Sequence, residues 1–255
     1  ESMWAKAAGT EGKCMRELKK QAVLRWDELA FILAVETGLF IFGEIMLAVI
    51  ASQTDQDETL VPLGTLAAVM GCFVIMLTMG MTSLALCFNI GVGMGSVRRR
   101  LVPMYLLFSY AEFLVMAAVA FVLHLFERFV LHTAFSDRIN EFDMGFLFQW
   151  KYIWVSGFVM VGLIGLMGAT FLKYGKIAFV ILWVLCVACA GGISRISKFV
   201  CAAKQSDSAV GRILRRIIEF FIEMPENGLL AGLLVISALM LALSWLMIRK
   251  KQVDL

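Results

Sequence analysis

The stretch Gly64-Thr-Leu-Ala-Ala-Val-Met-Gly-Cys-Phe-Val-Ile-Met-Leu-Thr-Met-Gly-Met-Thr-Ser-Leu-Ala-Leu-Cys-Phe88 lies in a run that carries no charged side chain between Leu60 and Val97. A run of this length exceeds the roughly 20 apolar residues a helix needs to cross the hydrocarbon core of a bilayer. Arg98, Arg99 and Arg100 then arrive together, and the chain turns apolar again at Met104-Tyr-Leu-Leu107. Short cytoplasmic loops hold the excess Lys and Arg of membrane proteins. The pattern therefore predicts two membrane spans joined by a cytoplasmic turn.

Composition agrees with that reading. Of 255 residues, 61% are hydrophobic and 17% charged, with mean hydropathy +0.85. Soluble domains hold about 25% charged residues, so the apolar surplus must face lipid. The net charge of +3 gives no reason to expect nucleic acid as a partner. The six cysteines fall mostly in apolar segments, where they act as small hydrophobes. Cys186-Val-Leu-Cys189 has metal-ligand spacing but no second pair or nearby His, so no metal site is expected. The polar first 28 residues lack the form of a cleavable signal peptide. Glu1-Ser2 ahead of Met3 reads as a cloning remnant.

Six spans can be counted, at about 29–52, 64–88, 104–126, 152–172, 177–193 and 228–248. Each must be helical, since in lipid a segment satisfies its own backbone amides. With six spans, the 23 Lys and Arg divide fourteen to nine between the two sides. The richer side takes the N-terminal segment, the arginine turn, Lys173, Lys176 and the C-terminal Arg249-Lys-Lys251. Both termini are thus expected in the cytoplasm of a plasma-membrane protein. Residues 3–28 read as a cytoplasmic, interfacial segment and 29–255 as the six-helix transmembrane domain. Within the first, Met15, Leu18, Ala22, Trp26 and Leu29 share a face, predicting an amphipathic helix on the inner leaflet. Val210, Ile213, Leu214, Ile217 and Phe221 predict a second one over 208–224, on the outside before the sixth span. It either rests on the outer headgroups or gates a translocation path.

The turn after the second span reads Asn89-Ile-Gly91-Val-Gly93-Met-Gly95-Ser96-Val97-Arg98-Arg99-Arg100-Leu101-Val102. Each glycine weakens a helix by about 1 kcal/mol relative to Ala, so the second helix is expected to end here. Ser-Val-Arg-Arg-Arg-Leu could then start a short helix in the cytoplasm. A positive-inside anchor explains the arginines but not the glycines. Gly95-Ser-Val-Arg-Arg-Arg-Leu-Val resembles the Gly-Val-Thr/Ser-Arg-Lys-Arg-Phe-Phe turn of permease subunits in the type-2 ABC transporter family. Val97 departs from it, standing where Ser or Thr is usual. Leu172-Lys-Tyr-Gly-Lys176 resembles the family's short turn between the fourth and fifth helices, and Ser244-Trp-Leu-Met-Ile-Arg-Lys-Lys251 its last helix.

The resemblance implies an exporter subunit that forms the translocation path. Gly95, Ser96, Val97, Arg98, Arg99, Arg100 and Leu101 would couple to cytoplasmic P-loop ATPase subunits. A second permease copy or a homologue would complete the path within the lipid bilayer. ATP and Mg would sit on the partner, because this chain has no G-x-x-x-x-G-K-[ST]; Gly12-Lys13 is followed by Cys14. The chain itself is expected not to be catalytic. A secondary transporter or channel is the alternative, and an intramembrane enzyme a weaker one, since no nucleophile or metal constellation is present.

Glu36, Glu44 and Glu112 fall inside spans, and acids placed there usually face the bundle interior. Glu36 and Glu112 count to similar depth and could share a site. Hydrogen bonding to a neighbouring helix, contact with a cationic substrate on the translocation path, and proton coupling all remain open for these three. Gly162, Gly165 and Gly168, with Gly228 and Gly232, offer surfaces for close helix approach. His124 and His132 are expected at the interface.

Overall fold

A computed structural model of the protein describes residues 3–53, 61–93, 98–134, 144–175, 177–178, 180–181, 184 and 225–249. Most of the expected fifth span, the stretch 208–224, Cys186 and Cys189 lie outside the described residues. The described chain is all-helical, with five helices long and apolar enough to cross a membrane. Helix α1 runs Met3–Gln53, α2 Leu63–Gly93, α3 Arg98–Ala134, α4 Trp150–Tyr174 and α5 Glu226–Arg249. A 3-10 turn, Met144–Phe148, leads into α4.

Three expectations change. The amphipathic stretch over 12–28 is not a separate helix, because α1 continues through it into the first span. No proline interrupts 3–53, and helix-forming Lys, Arg, Leu and Glu bridge the expected boundary at 28/29. Likewise, no short separate helix follows the second span. Helix α2 ends at Gly93 as the glycines predict, but Arg98, Arg99 and Arg100 are the opening residues of α3. That helix also outruns its expected end at 126, because Phe129, Val130 and Leu131 keep it apolar to Ala134.

Contacts fix the direction of each helix. Gly43 of α1 meets Leu63 and Gly64 of α2, whereas Glu28 meets Ser83, so α1 and α2 are antiparallel. The pairs Gly64–Glu127 and Gly80–Tyr105 make α2 and α3 antiparallel. Tyr110 and Phe113 lie against Gly157, and Leu106 against Gly165, so α3 and α4 alternate as well. The last pair breaks the alternation. Tyr152 meets Glu226, Phe158 and Gly162 meet Ser237, and Gly165 meets Ser244. Helices α4 and α5 run parallel.

Helix α4 is the most enclosed of the five. The expected glycine face accounts for this: Gly162 and Gly165 meet α5, and Gly168 meets Leu84 of α2. A Cβ on Gly162 would lie 3.2 Å from the Ser237 carbonyl oxygen, a tight contact that the bare glycine avoids as the two backbones approach. Gly232, in contrast, has open space around it. Helix α4 ends at Gly175, whose φ of 63° lies in the left-handed region that favours glycine and whose N–H reaches Phe171 O at 2.8 Å. The outer surface carries large exposed apolar side chains, among them Phe31, Phe42, Ile45, Phe129 and Leu239. In water such a surface would aggregate; in a bilayer it is solvated.

Candidate functional site: an apolar cavity between two polar layers

Three levels of buried polar chemistry follow one another along α1. The first is built on Arg25, which is 6% exposed. Its Nη2 lies 2.8 Å from Glu112 Oε2 and donates to Ser109 Oγ at 3.2 Å. Nη1 donates to the Tyr105 carbonyl at 3.1 Å, and Nε lies 3.4 Å from Glu28 Oε2. The guanidinium carbon stands 4.2 Å from the centre of the Tyr105 ring, within cation–π range. Ser83 donates to the other oxygen of Glu28, and Tyr105 OH donates to Gly80 O at 2.8 Å. One cation and two acids thus tie α1, α2 and α3 together. Only a planar fork of five donors could serve this many acceptors at once.

The second level is at the opposite end of the same three helices. Glu127, fully buried on α3, accepts the N–H groups of Gly64 and Thr65, each at 2.8 Å, and the Thr65 hydroxyl. It caps the start of α2, where unpaired amides and the helix dipole favour a carboxylate. Glu44 brings a second carboxyl to the same turn: a Cβ on Gly64 would lie 2.6 Å from Glu44 Oε1 and 3.2 Å from Glu127 Oε1.

Glu36 lies between these levels. Eleven residues separate it from Arg25, about 16 Å along the helix, and eight separate it from Glu44, about 12 Å. It is fully buried, and neither oxygen has a hydrogen-bond partner among the described residues. The Cys72 thiol is beside the carboxyl but falls short of hydrogen-bond geometry. Glu36 forms part of the wall of a cavity of about 410 Å³. The rest of the wall is almost wholly apolar and draws on α2, α3, α4, α5 and the 3-10 turn, with Met76, Phe113, Met116, Met160 and Leu233 among its residues.

The three sequence-predicted acids therefore separate. Glu112 pairs with Arg25 and not with Glu36, because Arg25 reaches it from the α1 segment expected to lie outside the bundle. Glu44 belongs with Glu127, and Glu36 alone faces the cavity. Of the coupling residues, Gly95, Ser96 and Val97 lie outside the described residues. Arg98, Arg99 and Arg100 are placed by backbone only, as the start of α3. Leu101, the last of them, is a core residue of the single chain. It is 5% exposed and packs in a cluster with Ala85, Phe88, Leu172 and Ile248, because α3 turns inward from its first turn. His124 is buried and stacked on Phe148 with ring centres 5.2 Å apart, whereas His132 is exposed.

Sequence reasoning missed Arg25 and Glu127. A signal for each exists. Tyr105, Ser109 and Glu112 recur at i, i+4 and i+7 in an otherwise apolar run, one polar helix face in need of a partner. Glu127 is embedded between Leu125-Phe126 and Phe129-Val130-Leu131, so its helix was bound to continue beyond it. No protein-family model matches this sequence, and no curated protein or solved structure matches it either.

Proposed function

We propose that the protein is the membrane-spanning permease subunit of an ATP-driven exporter of the type-2 ABC class. In this reading it crosses the plasma membrane six times with both termini in the cytoplasm. The observation that carries a transport role is the apolar cavity within the helix bundle, walled by four of the five helices and the 3-10 turn, with Glu36 from the fifth. Clefts and cavities of this volume are the usual form of a small-molecule site, and a path through a bilayer needs one. The parallel run of α4 and α5 supports six crossings. Two spans that point the same way need an odd number of crossings between them, and the apolar stretch over 177–193 is long enough to supply one. ATP drive rests on the family resemblance, of which the 95–102 turn is the part that would couple to an ATPase. The arginines of that turn would meet carboxylates of a separate ATPase.

Co-purification tests this reading. A P-loop ATPase encoded beside this chain should be retained by the wild type and lost when Arg98, Arg99 and Arg100 are all changed to Glu. Leu101 is left alone in this experiment because its burial would confound loss of binding with loss of fold. Retention of a fully stimulated ATPase by the triple variant removes the coupling role. The Glu44–Glu127 contact favours one second reading, a proton-coupled secondary transporter, since two carboxyl groups in contact can hold and release one proton. Uptake driven by a pH gradient in vesicles free of ATP would select it.

A further inference from the structure

Of the buried charged groups in the bundle, Glu36 stands apart. Arg25 is fully engaged by Glu28, Glu112, Ser109 and Tyr105. Glu127 is saturated by three donors from α2. Glu36 has no cation and no donor in hydrogen-bond geometry among the described residues, only the weakly polar Cys72 thiol beside it, yet it is fully buried. Desolvating a carboxyl without partners is costly, and the cost is recovered if a ligand brings the partner.

The surroundings restrict what that ligand is. An anion is excluded by the acid itself, and Arg25, about 16 Å away along α1, is already matched by two carboxylates. A metal ion would need more donors, and among the described residues no group of three His, Cys, Asp or Glu side chains comes together. The wall includes the aromatic residues Phe73, Phe113, Phe148 and Tyr152, a residue type whose ring faces attract cations. The remaining wall suits a hydrocarbon body. We infer that the cavity is a binding site for amphipathic amines, with the protonated nitrogen on the Glu36 carboxylate and the apolar body against α2, α3, α4 and α5. The inference rests on the permease reading only in making such amines the exported class; binding itself does not depend on ATP or on a partner.

The test is equilibrium binding to the whole chain in lipid nanodiscs, without ATPase. Two radiolabelled probes are compared: imipramine, a tricyclic tertiary amine, and iminodibenzyl, the same tricycle without the aminoalkyl arm. Wild type should prefer imipramine by about 10- to 100-fold, the range for a hydrogen bond to a charged group. Glu36→Gln, nearly isosteric, should erase that preference and leave iminodibenzyl binding unchanged, and Glu36→Asp should restore part of it. Ala117→Trp, which fills the cavity from α3, should abolish binding of both probes. Equal affinity of the two probes for the wild type overturns the inference without recourse to any variant, as does an unchanged imipramine affinity in folded Glu36→Gln. Binding as described without ATP-driven efflux removes the exporter reading and leaves the site standing. Efflux of other compounds with no amine binding removes the site alone.

Discussion

Arg25→Met is the most informative single change to the fold. Its cost can be worked through the contacts. Glu28 keeps Ser83, and the Tyr105 carbonyl keeps the Ser109 hydroxyl at 3.1 Å. Glu112 keeps nothing of equal strength, since its ion pair is with Arg25 at 2.8 Å. Removing one member of a buried ion pair costs about 3–5 kcal/mol because the other is left charged and unpaired. The surviving bonds to Glu28 and Tyr105 place the expected loss near the lower end of that range. Adding Glu112→Leu removes the orphan, so the double variant should recover much of the loss, with a coupling energy of about 1–3 kcal/mol between the two sites. Unfolding in mixed micelles titrated with SDS, followed by helicity and tryptophan fluorescence, measures all four corners of this cycle. If Arg25→Met falls within about 0.5 kcal/mol of wild type, as an exposed substitution does, the buried network is wrong. Strict additivity in the double variant would refute the pairing with Glu112.

Other outcomes follow from single contacts. Gly43→Ala should cost about 1–3 kcal/mol by overpacking, because its Cβ would lie 2.6 Å from Leu63 O and 2.7 Å from Gly64 Cα, both backbone atoms. Gly232→Ala, with nothing within 4 Å, should be neutral or stabilise by up to about 1 kcal/mol in the same unfolding measurement. Glu127→Ala should leave the amides of Gly64 and Thr65 unpaired, and hydrogen exchange there should speed up before the rest of α2 is affected. In a Cys-depleted background, Trp150→Cys and Asn227→Cys should react with an impermeant maleimide from the same side, and Arg99→Cys from the other. Reaction of 150 and 227 from opposite sides would contradict the parallel α4–α5 pair.

The spans were legible because bilayer-crossing helices must be long, apolar and uninterrupted, and five of the six predicted segments coincide with helices. Their ends were less so. Charge was read as a marker of water, yet Arg25 and Glu127 are charged residues inside the bundle, made tolerable by partners on other helices. A pairing such as Arg25–Glu112, across 87 positions, is invisible to local periodicity. Counting depth from the span ends put Glu36 beside Glu112, because the first helix was taken to begin at 29 when it begins far earlier. The glycine face of α4 was readable from its spacing alone. The cavity was not, since it exists only where several helices fail to meet.

The unbroken length of α1 has a mechanical consequence. At 1.5 Å per residue the helix is about 76 Å long, and about 33 Å of it precede Arg25. The Arg25 network bolts this rod to α2 and α3, and further along Gly43 is pressed against the backbone of Leu63 and Gly64, so the segment that bears Glu36 is clamped at both ends. A displacement of Arg25 along the helix axis is therefore passed to Glu36 with no hinge in between to absorb the stroke.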